Sequence, residues 1–137
     1  MRYMIIVKAN KDSEAGVMPS EQLIAAMTKF HEELAAGILL DASGLQVSSK
    51  GWRIQYSGDK RTMIDGPFAE TKELIVGYTL IKVASRAQAI DWSMRFPNPV
   101  GVGSDAEIEV RQLFELDDFE SSDAVERFRE LETGKNG

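Results

Sequence analysis

The sequence predicts an α+β fold in which two helices cover one face of an antiparallel sheet. Short β-branched and apolar runs alternate with two amphipathic segments in the order strand, helix, several strands, helix, strand. A hairpin signal and further strand-like runs lie between the two helices, which favours antiparallel pairing. At 137 residues the chain has the length of one domain with a single hydrophobic core.

The first strand and the first helix are predicted from patterns near the amino terminus. Residues 2–9 form a short apolar and β-branched run, which suits an interior strand better than a helix. After a polar loop, Pro19 and Ser20 mark the start of the helix, and Gly37 ends it by supplying a left-handed residue. Apolar side chains recur on one helix face at steps of four, three and four residues: Leu23, Met27, Phe30 and Leu34.

Several strands are predicted between the two helices. Residues 38–47 form the second strand, with a bulge or turn expected at Gly44. Residues 52–57 and 61–65 flank a short polar loop and predict a hairpin. Residues 74–83 form the most apolar strand. We expect these strands to run as a meander within the main sheet.

The second helix and the last strand complete the predicted sheet. Ser85 caps this helix, which extends to about Phe96 and is stopped by Pro97 and Pro99. Its apolar side chains lie on two nearly opposite sides, so both sides are expected to be covered, and the second cover could be another subunit. One face of the last strand is formed by Ile108, Val110 and Gln112.

The net charge of −6 is concentrated near the carboxyl terminus, where residues 115–137 carry eight acidic and three basic side chains. The remainder has no clustered basic stripe, so no nucleic-acid partner is predicted. From Asp117 the composition is that of a charged helix with a thin apolar stripe: Val125, Phe128 and Leu131. We assign residues 1–119 to the domain and 120–137 to an acidic tail that packs loosely or swaps onto a partner.

Residue types that the chain lacks exclude several functional classes. There is no cysteine, so neither a disulfide nor a thiolate nucleophile can form. The single histidine argues against a transition-metal site, and we predict no metal and no cofactor. The longest apolar run, residues 74–83, is too short to cross a membrane. No secretion signal precedes the first strand, so a cytoplasmic location is expected.

The sheet face opposite the two helices also requires a cover. A second copy packed face to face would bury it, and we therefore predict a homodimer that resembles a barrel-like sandwich.

The segment from Asp65 to Glu73, with the sequence DGPFAETKE, resembles the signature of the DGPF group of YCII-related proteins. The resemblance continues through Gly77 and Tyr78 and covers about residues 1–119. Gln112 stands where the family usually has proline. Two dipeptides and one tripeptide elsewhere also match the family pattern: Ala36-Gly37, Gly44-Leu45 and Glu109-Val110-Arg111.

This resemblance implies a ferredoxin-like α+β fold that dimerises as an α/β-barrel-like assembly, with a cleft thought to be an active site. It also implies a bacterial protein associated with extracytoplasmic-function sigma factors. The better studied YCII branch has a histidine early in the first helix, where this chain has Ala26. The only histidine here, His31, lies six residues before Gly37, so the catalytic histidine of that branch is not carried over to it.

The DGPF turn offers a candidate acid or base. Gly66 permits a positive φ and Pro67 fixes its own φ, so the turn can hold the carboxylate of Asp65 at the mouth of a cleft. Lys72 is close enough in sequence to keep that carboxylate ionised or to bind an anionic substrate. Glu70 and Glu73 would share a face of a helical turn, and such a like-charged pair can raise one pKa into a useful range.

Each of these residues also has a structural interpretation. Asp65 could instead bond its own backbone in an Asx turn. A solvated face is favoured for the charged residues that follow, and a structural role is favoured for His31 over a general base. Glu109 and Arg111 are either solubility charges or cleft residues. Core or interface positions are favoured for the aromatic side chains: Trp52, Tyr56, Phe68 and Tyr78.

Two classes of function follow from these residues. In the first, the chain is a small-molecule enzyme with Asp65 as acid or base, Arg111 or Lys72 holding an anionic group, and His31 as a further catalytic candidate. Its ligand-binding candidates are Gly66, Pro67, Phe68, Glu70, Glu73 and Glu109. In the second, the chain is a ligand-binding or regulatory protein whose acidic tail engages a basic partner such as a sigma factor. A third interpretation is that the motif only stabilises the dimer.

Overall fold

The chain folds around a four-stranded antiparallel sheet, and the computed structural model describes residues 1–135. The six strands are β1 (Arg2–Lys8), β2 (Leu39–Gly44), β3 (Trp52–Ser57), β4 (Lys60–Asp65), β5 (Ile75–Lys82) and β6 (Ile108–Gln112). The four helices are α1 (Lys11–Glu14), α2 (Glu21–Leu34), α3 (Arg86–Met94) and α4 (Asp123–Lys135). Residues 136 and 137 of the predicted tail lie outside the described part of the chain.

The main sheet has the strand order β2-β5-β1-β6, and all its neighbouring strands are antiparallel. This order is compatible with a ferredoxin-like fold, and the predicted α+β class with an antiparallel sheet is confirmed. The meander is wrong, because β3 and β4 pair only with each other in a separate two-stranded sheet. A 3-10 turn at Ser48–Lys50 separates β2 from this hairpin, in which β3 and β4 form backbone hydrogen bonds with each other along their shared edge.

The hydrophobic core lies between one face of the main sheet and the helices α2 and α3. Ile5, Leu34 and Ile81 are fully buried at its centre. Phe30 joins the two helices through edge-to-face contacts with Trp92 and Phe96 of the α3 region, with ring centroids 6.0 Å and 5.2 Å away. The buried apolar residues Leu34 and Phe30 lie on the helix stripe predicted from the sequence.

Local signals placed the two helices that cover the sheet, α2 and α3, correctly. The Oγ atom of Ser20 accepts the backbone N–H of Leu23, and Ser85 caps α3 in the same way. Gly37 has a φ of 101°, as the predicted helix end required. The bulge expected at Gly44 is wrong, because Gly44 pairs directly with Gly77 and the register shift in β2 lies nearer its start.

The sheet face opposite the core carries apolar side chains that are only partly buried. Met4, Ile6, Tyr78 and Leu80 of the central strands are only partly buried on the face opposite the core. None of the described helices is both long enough and apolar enough to cross a membrane.

Candidate functional site

The turn that follows β4 is held against the 3-10 turn at Ser48–Lys50. The N–H of Gly66 donates to the carbonyl oxygen of Gly51 at 3.0 Å, and the Gly66–Pro67 peptide bond is cis. The expectation that Gly66 provides a positive φ is wrong, because its φ lies outside that region. Glycine is required here by close packing, since a β-carbon at this position would lie 1.9 Å from the Ser48 carbonyl oxygen.

A carboxylate and a hydroxyl fix the position of this turn relative to α1. One oxygen of Glu14 accepts the backbone N–H of Ser48 at 2.9 Å, and the other accepts the Ser48 hydroxyl in a short hydrogen bond. The Oγ atom of Ser48 also accepts the backbone N–H of Phe68 at 3.1 Å. The three partly buried residues therefore connect α1, the 3-10 turn and the DGPF turn in one hydrogen-bonded network.

A cavity of about 440 Å³ opens between α1 and the DGPF turn. Its wall is largely apolar, and the charged groups on it are Lys11 and Glu14, which lie three residues apart on α1. From the turn it is lined by Pro67, Phe68, Ala69 and Thr71. The volume is sufficient for a small metabolite, and such pockets combine apolar walls with a few oriented polar groups.

Asp65 and Lys72 lie on either side of the residues that line this cavity. Asp65 is exposed at the end of β4, directly opposite Trp52 in the hairpin register. Among residues 1–135, no hydrogen bond or ion pair involves the carboxylate of Asp65. Lys72 is exposed within the 3-10 turn Thr71–Glu73. Both side chains are accessible to solvent next to the cavity.

The two acidic candidates after the turn are arranged as a helical turn would place them. The N–H of Glu73 donates to the carbonyl oxygen of Glu70 at 3.0 Å across the 3-10 turn. Both residues are exposed. The guanidinium of Arg53 lies 3.8 Å from the centre of the Phe68 ring, so the aromatic side chain of the motif packs against the hairpin.

Glu109 and Arg111 lie on β6, on the sheet face opposite the core. Glu109 pairs with Arg111 at 3.2 Å and with Lys8 at 3.3 Å. The hydrogen bond from Arg111, followed by that from Lys8, lowers the pKa of Glu109 below its usual value. The structure therefore groups these two residues with Lys8 and does not join Arg111 to Asp65 by any described contact.

His31 is bonded inside the chain through both ring nitrogens. Its Nδ1 atom lies 2.7 Å from the carbonyl oxygen of Met27, and its Nε2 atom lies 2.8 Å from the hydroxyl of Thr79. Since a carbonyl oxygen only accepts, Nδ1 carries the hydrogen in this bond, and in the neutral imidazole Nε2 then accepts the hydroxyl hydrogen of Thr79. Phe30 and Phe96 contact the ring at its edges. These contacts join α2 to β5.

Sequence reasoning missed the cavity residues contributed by α1 and the network behind them. Asn10 and Ser13 form a reciprocal capping box, which is a local signal that could have identified α1 and so placed Lys11 and Glu14 on one turn. No local signal identifies Ser48, because its partners Glu14 and Phe68 are 34 and 20 residues away in sequence.

Two comparisons with known proteins match this chain. A family model described as the YCII-related domain matches residues 1–116. An uncharacterized protein of Rhizobium meliloti is 33% identical over 89 residues, which cover 65% of this chain and 68% of that protein. The family match includes the DGPF turn and ends before α4.

Proposed function

The chain belongs to the YCII-related family, and we propose that it is a DGPF-group member that binds a small acidic molecule beside the DGPF turn. The observation that supports this most directly is the cavity of about 440 Å³ between α1 and the turn. The signature motif supplies four of its lining residues, so the most specific part of the sequence coincides with this cavity. The proposed setting is the bacterial cytoplasm.

The cavity favours a ligand that is mostly apolar and carries one acidic group. Lys11 is the cationic side chain on the wall, and an ammonium group there would pair with a carboxylate or phosphate. The negative charge of Glu14 is directed toward the N–H and hydroxyl of Ser48, which reduces its repulsion of an anion. Pro67 and Phe68 would contact the apolar part of the ligand.

We further propose that the site is catalytic. Asp65 is exposed next to the lining residues and makes no described hydrogen bond, so its carboxylate is available to accept or donate a proton. Lys72 lies at the other end of the lining segment and would hold an anionic group or keep Asp65 ionised. An isomerase, lyase or hydrolase reaction would use such a pair. Arg111 and His31 would take part in this reaction only if a partner subunit or a rearrangement brought them closer to Asp65.

We also propose that the functional unit is a homodimer with a barrel-like arrangement of two sheets. The chain exposes 10315 Å², whereas a compact monomer of 15.2 kDa exposes roughly 7,100 Å². The exposed surface beyond that of a compact monomer is larger than the roughly 800 Å² that each partner buries in a standard interface. The partly buried residues Met4, Ile6, Tyr78 and Leu80 form the sheet face that the second copy would cover.

A regulatory role remains the second candidate, and α4 is the observation that favours it. This helix carries most of the tail's acidic side chains, and Phe128 and Leu131 are exposed on it. An acidic helix with exposed apolar side chains suits a basic protein partner, and a sigma factor is the partner that the family resemblance suggests. In this proposal the domain comprises residues 1–119 and the acidic tail residues 120–137.

Titration of the labelled protein with small molecules, followed by NMR, tests ligand binding. We expect small carboxylates with an apolar group, such as butyrate and benzoate, to shift the amide signals of residues 11–15 and 68–71. The Lys11→Met variant should bind them about two- to fivefold more weakly, because one exposed ion pair is lost. Lys29→Met is the matched control, since Lys29 is exposed on α2 away from the cavity lining. The absence of shifts in these two segments with every compound would contradict the proposed site.

A further inference from the structure

The hairpin formed by β3 and β4 has an apolar face that the chain leaves open. Trp52, Ile54, Tyr56 and Met63 lie on this face, and their side chains are 42% to 68% exposed. Every residue of both strands is exposed. A two-stranded hairpin is marginally stable in water by itself, and a contiguous apolar patch of this kind marks an interaction site. The hairpin therefore requires a partner surface.

Helix α4 has a matching unpartnered side. Val125 is partly buried and Arg129 pairs with Asp117 at 3.0 Å, so this side of α4 faces the chain's own body. Phe128 lies one turn after Val125 on the same apolar stripe and Leu131 lies one turn further, and these two residues are 62% and 63% exposed. Two exposed apolar side chains one turn apart are the usual means by which a helix docks onto a partner.

The hairpin and α4 are located at opposite ends of the main sheet. The hairpin follows the end of β2, where Gly44 pairs with Gly77. Arg2 lies at the other end, where it pairs with Lys82. The guanidinium of Arg2 donates to the carboxylate of Glu115 at 3.0 Å, and Asp117, two residues further on, pairs with Arg129 of α4 at 3.0 Å, which places α4 near this end. An antiparallel two-fold arrangement of two copies would bring the hairpin of each beside α4 of the other.

We infer that the apolar face of the β3-β4 hairpin docks onto the Phe128 and Leu131 side of α4 in a second copy of the chain. The contact is reciprocal and occurs twice in the dimer. It rests on the homodimer proposed above and identifies the surfaces that hold the dimer together at its two ends. The β-sheet faces alone would leave both the hairpin and α4 exposed.

Charge supports this choice of partner. Arg61 lies on the apolar face of the hairpin and its guanidinium is 5.0 Å from the centre of the Tyr56 ring. Helix α4 provides acidic side chains along its exposed length, among them Glu130. A basic and aromatic surface meets an acidic and apolar one, which favours hairpin-to-helix pairing over pairing of two hairpins or two helices.

The contact also has a consequence for the candidate site. Asp65 lies on the same hairpin face, directly opposite Trp52. A partner helix on that face would reduce the access of water to Asp65 and place partner residues next to the DGPF turn. Dimer formation would then complete the surroundings of the proposed acid or base.

Complementation between two variants tests the inference. Trp52→Glu should disable the hairpin and Phe128→Glu should disable α4, and we expect each variant alone to weaken the dimer at least about tenfold. In an equal mixture, one of the two contacts contains an unaltered hairpin and an unaltered helix, so a heterodimer should form. Val102→Glu is the control because Val102 is fully exposed on a loop away from both surfaces, and this variant should dimerise as the wild type does. Sedimentation analysis over a range of concentrations gives the mass and the dissociation constant of each dimer.

Each outcome is informative. Variants that dimerise as tightly as the wild type, or weakened variants that do not associate more tightly when mixed, overturn the hairpin-to-helix contact and leave the homodimer and the ligand site standing. A monomeric wild type overturns the contact and the homodimer together. As a second measurement, cysteines introduced by Ile54→Cys and Leu131→Cys in the cysteine-free chain should give a disulfide-linked dimer. An intramolecular disulfide would show that α4 docks on its own hairpin and would also overturn the inference.

Discussion

The α-carbon of Gly66 packs directly against the backbone of Ser48, so that a β-carbon on residue 66 would lie 1.9 Å from the Ser48 carbonyl oxygen. The atom that blocks a side chain belongs to the backbone and cannot rotate away. The same serine holds Glu14 and the N–H of Phe68. The DGPF motif is therefore built around a contact with a segment almost twenty residues earlier, in addition to its own turn geometry.

Gly66→Ala should destabilise the protein because the turn must move away from Ser48. We expect the free energy of unfolding to fall by about 1–3 kcal/mol, as in other cases of overpacking. Chemical denaturation followed by tryptophan fluorescence measures this change. Gly44→Ala is the control, since a β-carbon there would lie 3.9 Å from the nearest atom, the Val76 carbonyl oxygen. Equal stability of the two variants would contradict the packing explanation.

Thr79→Val should leave the Nε2 atom of His31 without its donor while preserving the volume of the side chain. Thr79 is almost completely buried, so the free energy of unfolding should fall by about 1–3 kcal/mol. Thermal or urea unfolding measures the loss. Thr28→Val is the control, because Thr28 is exposed and its hydroxyl bonds only the carbonyl of Ile24 in its own helix. A change below about 0.5 kcal/mol at position 79 would argue against a structural role for this pair.

Asp65→Asn should change stability little, because the carboxylate makes no hydrogen bond in the described part of the chain. We expect a difference within about 0.5 kcal/mol, which is usual for surface substitutions. Differential scanning calorimetry of this variant beside Asp59→Asn, another exposed hairpin position, measures it. A loss of 1 kcal/mol or more, at about the worth of one hydrogen bond, would favour the Asx-turn interpretation.

The free energy of unfolding at acid pH should depend on Glu109. Its pKa is lowered in the folded state by Arg111 and then Lys8, so its contribution to stability is fully present above the unfolded pKa of about 4.3. That contribution is lost as the pH falls through the lower, folded pKa. NMR titration of the side-chain carboxyl should show this low value, and Arg111→Gln should raise it toward the usual one. An unchanged pKa in Arg111→Gln would show that Lys8 alone holds the carboxylate.

Much of the fold follows from short-range patterns. The two helices that cover the sheet, α2 and α3, begin after Ser20 and Ser85 because a capping hydroxyl bonds an N–H only three residues away. The buried stripe of α2 follows from helical periodicity, and the strands that frame the core follow from apolar runs. The DGPF segment was recognisable as a sharp turn next to a candidate acid, since Asp-Gly-Pro restricts the backbone locally.

The tertiary structure alone decided what this turn packs against and which residues share its cavity. Glu14, Ser48 and Phe68 meet although they are separated by 34 and 20 residues, and no periodicity in the sequence encodes such a contact. The separation of the hairpin from the main sheet could not be predicted for a similar reason. The alternation of side chains along a strand does not specify which other strand it pairs with. The sequence by itself determined the helices, the core strands and the position of the motif, since capping, periodicity and turn chemistry act over a few residues. Only the folded chain determined the cavity and the open hairpin face, since these depend on distances between segments that are remote in sequence.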